Sequence, residues 1–443
     1  MGYFSEKTLY RALLVLLMFF LTSTNLFGES LERAWDIAIQ ESRQLQASQH
    51  ATAAANSYVS AAQSARLPNI TNATAYTALS EQPTFNAHTP EIPLMPGVTI
   101  PSLGFQLPFM DKDFLVSSTM ATVPLYTGGK ISSLVEQAEA QARAAQSGEI
   151  TSLQELKIAV AETYFLVLRI QGILEVLEDT QKAIAAHEKM AEDMYKTGLV
   201  TKNVLLAAQV ARADIEQKVS QAKNTLDVAK AAYNRYLWRP LTANVELDLV
   251  QIPPLSGDLD LLTDAALATR SELKQLAAQS QTIYAKSKEE RSARLPQVAA
   301  IGGYTYLQNE SLVENDYWSL SVGMIWTPVD GGISRSKQQA TEHQMTALNR
   351  ILDETRSAIS LQVRKNWLEE QESRSRVEVT RKAVERSEEN LRVVNEQFKT
   401  GLVTHTEVLD AVAGYSQART NYCNAAYDAI LATYHLRRAT GAL

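Results

Sequence analysis

The hexapeptide KTGLVT occurs twice in this chain of 443 residues, at 196–201 and again at 399–404. Both copies lie between long stretches in which proline is absent and glycine is rare. Six identical residues at a separation of 203 positions are improbable by chance, so they indicate an internal duplication. A duplicated chain has to build each half from the same order of elements.

Further segments match between the two halves. ARLPNI (65–70) returns as ARLPQV (293–298), and VPLYTGGKIS (123–132) returns more loosely as TPVDGGISRS (327–336). The order is the same in both halves: a helix, Arg-Leu-Pro, strands, Gly-Gly, a long helix, the hexapeptide and another long helix. A fixed order of matched landmarks supports duplication more strongly than any single match does.

The landmarks place the boundaries of two structural repeats. We predict a first repeat over 29–240, a proline-containing linker over 241–261 and a second repeat over 262–443. Each repeat is expected to hold a helix, two strands and two long helices that meet at a hexapeptide tip. The first repeat is longer because the proline-rich segment 80–110 separates its two strands. Proline cannot donate to a strand ladder, so we expect no regular strand pairing in that segment.

Residues 1–28 have the layout of a secretory signal peptide. Lys7 and Arg11 precede the ten-residue apolar run 12–21, and polar residues follow it. Ten apolar residues are too few to span a bilayer, so we predict cleavage and export, with an uncleaved anchor as the alternative. The single cysteine, Cys423, excludes an intramolecular disulfide. A net charge of −7 and a pI of about 5.6 argue against a general nucleic-acid binder.

The stretch 131–195 contains no proline and indicates one helix of 65 residues, about 100 Å long at roughly 1.5 Å per residue. Steps of alternately three and four residues give a mostly apolar seam in this helix and in the helix after each hexapeptide. Such a repeat is typical of coiled-coil packing. A partial second seam predicts packing on two sides; it consists of Ile158, Ala161, Phe165 and Leu168. An ordinary two-helix coiled coil is the alternative that the helices alone leave open.

A strand with one apolar face is predicted at 317–326, where the period changes to 2. Tryptophan stands at both ends of that face, as in strands of transmembrane barrels. We predict that this face contacts lipid; it consists of Trp318, Leu320, Val322, Met324 and Trp326. Segments 69–79, 113–125 and 297–307 alternate more weakly. A soluble hairpin with one buried face is the alternative for any single segment.

Four strands cannot close a barrel, because the smallest bacterial outer-membrane barrels have about eight. An open sheet in lipid would leave unpaired backbone groups at its edges. The copies of the chain must therefore share a barrel, and three chains of four strands would give twelve.

The segment FKTGLVTHTEVLDAVAGYSQA (398–418) resembles the G-x-x-x-x-x-D-V-L-D-A signature of the TolC-type outer-membrane efflux channel family. YKTGLVTKNVLLAAQVA (195–211) is its weaker twin. The resemblance covers essentially the whole mature chain. It implies an α+β membrane protein in which a long-helix coiled-coil α-barrel is continuous with a transmembrane β-barrel, closed as twelve strands in a homotrimer. The linker 241–261 would belong to an equatorial belt.

The same resemblance implies roles for particular residues. The tips would contact a periplasmic adaptor; they consist of Gly198, Leu199, Val200, Gly401, Leu402 and Val403. Glu407 and Asp410 would form rings of carboxylates at a periplasmic gate, where they favour cations. Two departures from the family pattern concern that gate. Asn203 and Val204 stand where the first tip commonly has an acid, and Phe398 and Val403 stand where other members have a closing Tyr–Arg network.

The function implied is that of an outer-membrane exit duct in a tripartite efflux system, with its helical portion in the periplasm. The partners would be an adaptor, an inner-membrane transporter and outer-membrane lipid. The segment 80–110 would be an extracellular loop that constricts the outer mouth. No catalytic, cofactor or metal site is predicted, since TGGKIS lacks the pattern of a phosphate-binding loop. A duct for type I protein secretion and a periplasmic coiled-coil scaffold are the alternatives.

Overall fold

The computed structural model describes residues 28–254, 256–310 and 312–443. The predicted signal peptide, residues 1–28, lies outside the described residues except for Gly28. The chain divides into two compact units, which we call the helical unit and the sheet unit. The helical unit comprises the described residues up to Gln49, Ser147–Leu273 and Glu354–Leu443, and the sheet unit comprises His50–Gln146 and Lys274–Asp353.

Helices dominate the described chain. In chain order they are α1 (Leu31–Glu41), α2 (Arg43–Ser64), α3 (Lys130–Lys196), α4 (Lys202–Tyr236), α5 (Leu259–Thr269), α6 (Ser271–Ser292), α7 (Ile333–Lys399) and α8 (His405–Thr440). The helices α3 and α7 have 67 residues each, because no proline interrupts them. Within the described ranges, no helix has both the length and the apolar character that a bilayer span requires.

The strands belong to the sheet unit. They are β1 (Asn69–Ala78), β2 (Thr84–His88), β3 (Ile92–Met95), β4 (Val98–Ile100), β5 (Gly104–Pro108), β6 (Asp113–Tyr126), β7 (Gln297–Gln308) and β8 (Asp316–Ile325). The four strands predicted from alternation correspond to β1, β6, β7 and β8, with ends within one residue. Trp326 was expected inside the last strand, but it lies one residue beyond its end.

Four of these strands form one antiparallel sheet in the order β1-β6-β7-β8. Thr119 of β6 pairs with Asn72 on one side and with Tyr304 on the other, and Tyr304 pairs in turn with Trp318. The strands β1 and β8 are the outer strands of this sheet. Each of them therefore presents a row of backbone groups that no other strand of the sheet pairs.

The prediction that 80–110 lacks regular strand pairing is wrong. The strand β2 pairs with β5, and β3 pairs with β4. The reason lies in where the prolines stand. Pro108 is the last residue of β5, and the β3–β4 register shifts next to Pro93. A two-stranded ribbon also leaves one side of each strand free, so a proline that faces this side removes no hydrogen bond.

The apolar seams predicted for the long helices lie in the core of the helical unit. Both seams of α3 are represented among its buried residues, Val160, Ala161, Phe165, Val167, Leu168 and Ile170. The buried members of the α4 seam are Ala208, Ile215, Val219, Ala222, Leu226, Ala229 and Tyr233, and those of the α8 seam include Val408, Ala411, Ala425, Ala429 and Leu436. The expected packing of α3 on two sides is thus confirmed.

Buried polar groups fasten the linker to this core. Glu370 of α7 is fully buried, and its carboxylate accepts hydrogen bonds from the Ser256 N–H (3.3 Å), the Ser256 hydroxyl (3.1 Å) and the Thr433 hydroxyl (2.9 Å). Arg374 lies 3.3 Å from the same carboxylate and donates to the carbonyl of Pro253 at 2.5 Å. A buried carboxylate needs such compensation, since an unpaired one would carry a large desolvation cost.

Candidate functional site: the two helix tips and the apolar face of the sheet

The two hexapeptide turns have the same backbone geometry. After α3, the Gly198 N–H donates to the Tyr195 carbonyl at 3.0 Å and the Leu199 N–H donates to the Met194 carbonyl at 2.8 Å. After α7, the corresponding bonds of Gly401 and Leu402 measure 3.0 and 2.9 Å. This is the pattern of a Schellman C-cap.

Glycine is required at both turns because of the backbone conformation, not because a side chain would lack room. Gly198 and Gly401 both have φ of +75°, a left-handed conformation that other residues adopt at a cost. A Cβ built on either glycine would meet no atom within 4 Å. The repeated turn is therefore fixed by conformation, and the space around it is open.

The leucine that follows each glycine projects into solvent. Leu199 is 73% exposed and Leu402 is 75% exposed. The valines that come next, Val200 and Val403, are only half-buried. Each tip therefore offers one large apolar side chain that contacts little else in the chain, at matching positions.

The helices that start after the tips are capped differently. Thr404 accepts a bond from the Glu407 N–H at 3.4 Å, and the Glu407 carboxylate accepts from the Thr404 N–H at 3.2 Å, which completes a capping box. At the first tip Thr201 makes no side-chain cap, and its hydroxyl donates to the Asn203 side chain instead. The backbone N–H groups at the start of α8 are thus better supplied with hydrogen-bond partners than those at the start of α4.

The predicted gate acids are exposed on the first turns of α8. Glu407 and Asp410 both point to solvent in the single chain, and the side chain of Glu407 also caps its own helix. Phe398 is buried and Val403 packs partly against the same apolar cluster, together with Ile184, Val408 and Val412. The two positions at which the family resemblance would place a closing network therefore belong to a small core here.

The fold brings together two histidines that are 218 positions apart in the sequence. His187 of α3 and His405, the first residue of α8, are both 6% exposed. Their rings stack with centroids 4.3 Å apart, and the His187 ring lies 5.3 Å from that of Phe398. Burial lowers the pKa of His187 to about 4, with the nearby His405 adding to the effect, and burial also lowers the pKa of His405. Nothing in the local sequence signals this pair.

The sheet unit contains the second candidate site, the face of β8 predicted to contact lipid. Trp318 and Leu320 are 81% and 85% exposed, and Val322, Met324 and Trp326 are exposed as well. By register the face continues onto β7 through Tyr304, whose ring lies 5.0 Å from that of Trp318. The Trp326 indole donates to the Arg294 carbonyl at 3.1 Å.

Toward β1 the same face becomes more polar, but its polar groups bond to one another. The Asn72 amide donates to Thr119 at 2.8 Å, and the Thr74 hydroxyl lies 3.0 Å from that of Ser117. Polar groups in apolar surroundings need such mutual partners. The face can therefore lie against hydrocarbon without unsatisfied side chains at these positions.

Paired long helices with duplicated tips, together with an open antiparallel sheet, define a channel of the α-barrel and β-barrel type. Closing a four-stranded sheet of this kind into a barrel takes three chains. Solved structures share the fold. VceC of Vibrio cholerae superposes with a TM-score of 0.77 at 15% identity, covering 93% of this chain and 96% of that one. The CmeC outer membrane channel of Campylobacter jejuni gives 0.78 at 12% identity, covering 94% and 86%.

The chain belongs to the outer membrane efflux protein family, whose sequence model matches residues 35–237 and 262–442. The outer membrane protein TolC of Vibrio cholerae serotype O1 is 25% identical over 367 residues, which make up 81% of this chain and 83% of that protein. The family resemblance and the fold class predicted from the sequence are thereby confirmed. The family is one of channels, not of enzymes.

Proposed function

We propose that this protein is the outer-membrane exit duct of a tripartite efflux system. It works as a homotrimer that conducts substrates passively from a periplasmic adaptor and an inner-membrane pump to the exterior. The helical unit lies in the periplasm, the face of β8 contacts outer-membrane lipid, and the segment 80–110 is extracellular. Energy comes from the pump.

The observation that carries this proposal is the pair of identical tips. A turn that only ended a helix would have no need of a leucine that is three-quarters exposed, and here both copies present one on the same backbone. In a trimer the two tips of each chain give a ring of six near-equivalent apolar contacts. Such a ring suits shallow packing against helical hairpins of an adaptor, which would cover the leucines.

The acids at the second tip support a gate near this ring. Glu407 and Asp410 lie three residues apart on one exposed helical face, so three chains would form two stacked rings of carboxylates. Rings of carboxylates favour cations over anions in a pore. The closed state must be stabilised by other contacts than a Tyr–Arg network, because Phe398 and Val403 pack into the local core.

Membrane association and mass test the duct. The protein should stay with the outer-membrane fraction after washing with salt and carbonate, and it should run as a trimer in mild detergent. Release by carbonate would favour the periplasmic scaffold instead. A stable monomer or dimer in detergent would exclude the shared barrel.

Substitutions of the exposed leucines test the tips. Leu199→Asp combined with Leu402→Asp should abolish efflux and adaptor cross-linking, while the trimer remains intact, because neither side chain supports the fold. The matched control is Leu199→Met with Leu402→Met, which keeps apolar bulk and should retain efflux. Normal efflux and cross-linking in the aspartate variant would show that the repeated turn is only a turn.

The identity of the pump tests the alternative function. An ABC exporter as the partner pump would favour a duct for type I protein secretion over one for efflux.

A further inference from the structure

The strands β2 and β5 form a ribbon with two different faces. Side chains of paired residues in an antiparallel ladder point to the same side. Phe85 pairs with Leu107 and Ala87 pairs with Phe105, which gives one apolar face. The opposite face carries the other pairs, Thr84 with Pro108, Asn86 with Gln106 and His88 with Gly104. We call residues 84–108 the ribbon.

Nothing in the described chain covers the apolar face of the ribbon. Phe85 is 51% exposed, Phe105 45% and Leu107 41%. The hairpin of β3 and β4 also carries exposed apolar side chains, among them Ile92, Met95 and Val98. No Asp, Glu, Lys or Arg occurs between 92 and 110. An exposed apolar surface without charged residues is typical of a contact site rather than of a solvated loop.

The position of the ribbon indicates what covers it. The ribbon leaves the sheet from β1, an outer strand, and a closed barrel requires β1 to pair with the β8 of another copy. A charged rim marks the same end of the sheet; it consists of Asp111, Lys112, Asp113, Glu310, Glu314 and Asp316. Asp111 accepts a bond from the Glu310 N–H at 2.5 Å, and the Lys112 carbonyl accepts from the Leu79 N–H at 2.9 Å. Charged residues mark the end of the apolar layer, so the ribbon extends beyond the acyl chains.

We infer that the apolar faces of three ribbons pack against one another over the outer mouth of the barrel, so the occupant of each face is a second copy of this chain. The inference rests on the proposed function, since it needs the trimer and the extracellular position of the segment 80–110. The polar faces, with Asn86, His88 and Gln106, remain in contact with water. A mouth narrowed by apolar side chains resists wetting, so the packed ribbons form an outer constriction.

Two neighbouring residues that lie on opposite faces provide the test. Phe105→Cys and Gln106→Cys are made in a Cys423→Ser background and treated on intact cells with a membrane-impermeant maleimide. The residue at 106 should be labelled and the residue at 105 protected. A bismaleimide should shift the Phe105→Cys chain to a dimer on a denaturing gel and leave the Gln106→Cys chain a monomer. Leu107→Cys and Asn86→Cys repeat the comparison if either first variant fails to form the trimer.

The other outcomes separate this inference from the proposed function. A trimer in which both positions are labelled equally would overturn the ribbon contact alone. Protection at 105 without cross-linking, and with quenching of a fluorescent label there by brominated lipid, would identify lipid as the occupant and overturn it too. Labelling of either position only after permeabilisation of the outer membrane, or a monomer in detergent, would overturn the proposed topology or assembly as well.

Discussion

The His187 Nε2 atom lies 2.5 Å from the His405 Nδ1 atom, with both rings buried. His187 belongs to α3, and His405 starts α8 directly after the second tip. The His405 Nε2 atom is buried without a hydrogen-bond partner among the described residues. Glu188, the neighbour of His187, is engaged by Arg212 at 2.9 Å, and Glu407 caps its own helix. The pair therefore joins α3 to the start of α8 near a tip while both rings are neutral.

This contact should weaken at acidic pH. Burial holds the pKa of His187 at about 4, below its usual 6.5. Between pH 4 and 6.5 this histidine is therefore protonated in the unfolded or opened chain but neutral in the folded chain. Its contribution to stability is complete above pH 6.5 and is lost as the pH falls toward 4. Between pH 6.5 and 4 the free energy of opening should fall by roughly 3 kcal/mol. Amide hydrogen exchange of the α8 start, measured at pH 7.5 and about 5 with correction for intrinsic rates, should show this loss of protection.

The matched variants are His187→Phe and His343→Gln. Phenylalanine keeps the packing beside Phe398 but cannot be protonated, so exchange at the start of α8 should lose the part of its pH dependence that His187 contributes, and only the part from His405 should remain. His343 is exposed on α7, and its replacement should leave that dependence unchanged. An unaltered pH profile in His187→Phe would contradict the assignment.

Two roles of Glu407 can be separated by choice of side chain. In Glu407→Gln the amide oxygen can still accept from the Thr404 N–H, so the helix start should persist while a charge is lost. Combined with Asp410→Asn, this change should lower the cation preference of the channel in planar bilayers with little loss of stability. Glu407→Ala removes the cap as well and should cost about 1 kcal/mol. Unchanged selectivity in the neutral pair would place both acids away from the constriction.

Alanine at the tip glycines should destabilise without any clash. Gly198→Ala and Gly401→Ala force a Cβ into a left-handed conformation, at a cost of about 1 kcal/mol each. Gly414 is the control, because it lies inside α8 and has equally open surroundings. Gly414→Ala should stabilise the helix by up to about 1 kcal/mol. Urea unfolding midpoints of the detergent-solubilised protein would show the opposite signs, and equal signs would contradict the role of conformation.

Neighbouring acids on α7 should differ sharply in their effect on stability. Glu370→Ala removes a buried carboxylate and leaves Ser256, Thr433 and Arg374 without their shared acceptor, so we expect a loss of about 3 kcal/mol. Glu369 is exposed and forms only a surface pair with Lys365, so Glu369→Ala should change stability by less than about 0.5 kcal/mol. Similar effects of the two variants in thermal unfolding would contradict the importance of the buried network.

Local patterns were sufficient to predict the elements that repeat or alternate. The period of 2 along β8 and the breaker-free run of α3 each depend on neighbouring residues, and both were predicted to within about a residue. The ribbon was missed because prolines were counted without regard to their positions on a ladder. The segment THTE at 404–407 has the capping-box pattern and could have indicated the cap, but Glu407 was assigned only to the gate.

The contacts that sequence could not supply depend on packing between distant segments. His187 and His405 are 218 positions apart, and neither local sequence differs from that of an ordinary surface helix. Glu370 likewise stands in a charged run in which nothing distinguishes it from Glu369. Only the assembled helices decide which member of such a run is buried.

The two open edges of the sheet have a consequence for biogenesis. A lone chain that entered the membrane would carry the unpaired groups of β1 and β8 into hydrocarbon, at several kcal/mol for each group. For the proposed trimer, insertion and assembly are therefore expected to be a single event. A chain with a damaged edge strand would also disable its two intact partners, so such a mutation would be dominant over the normal gene.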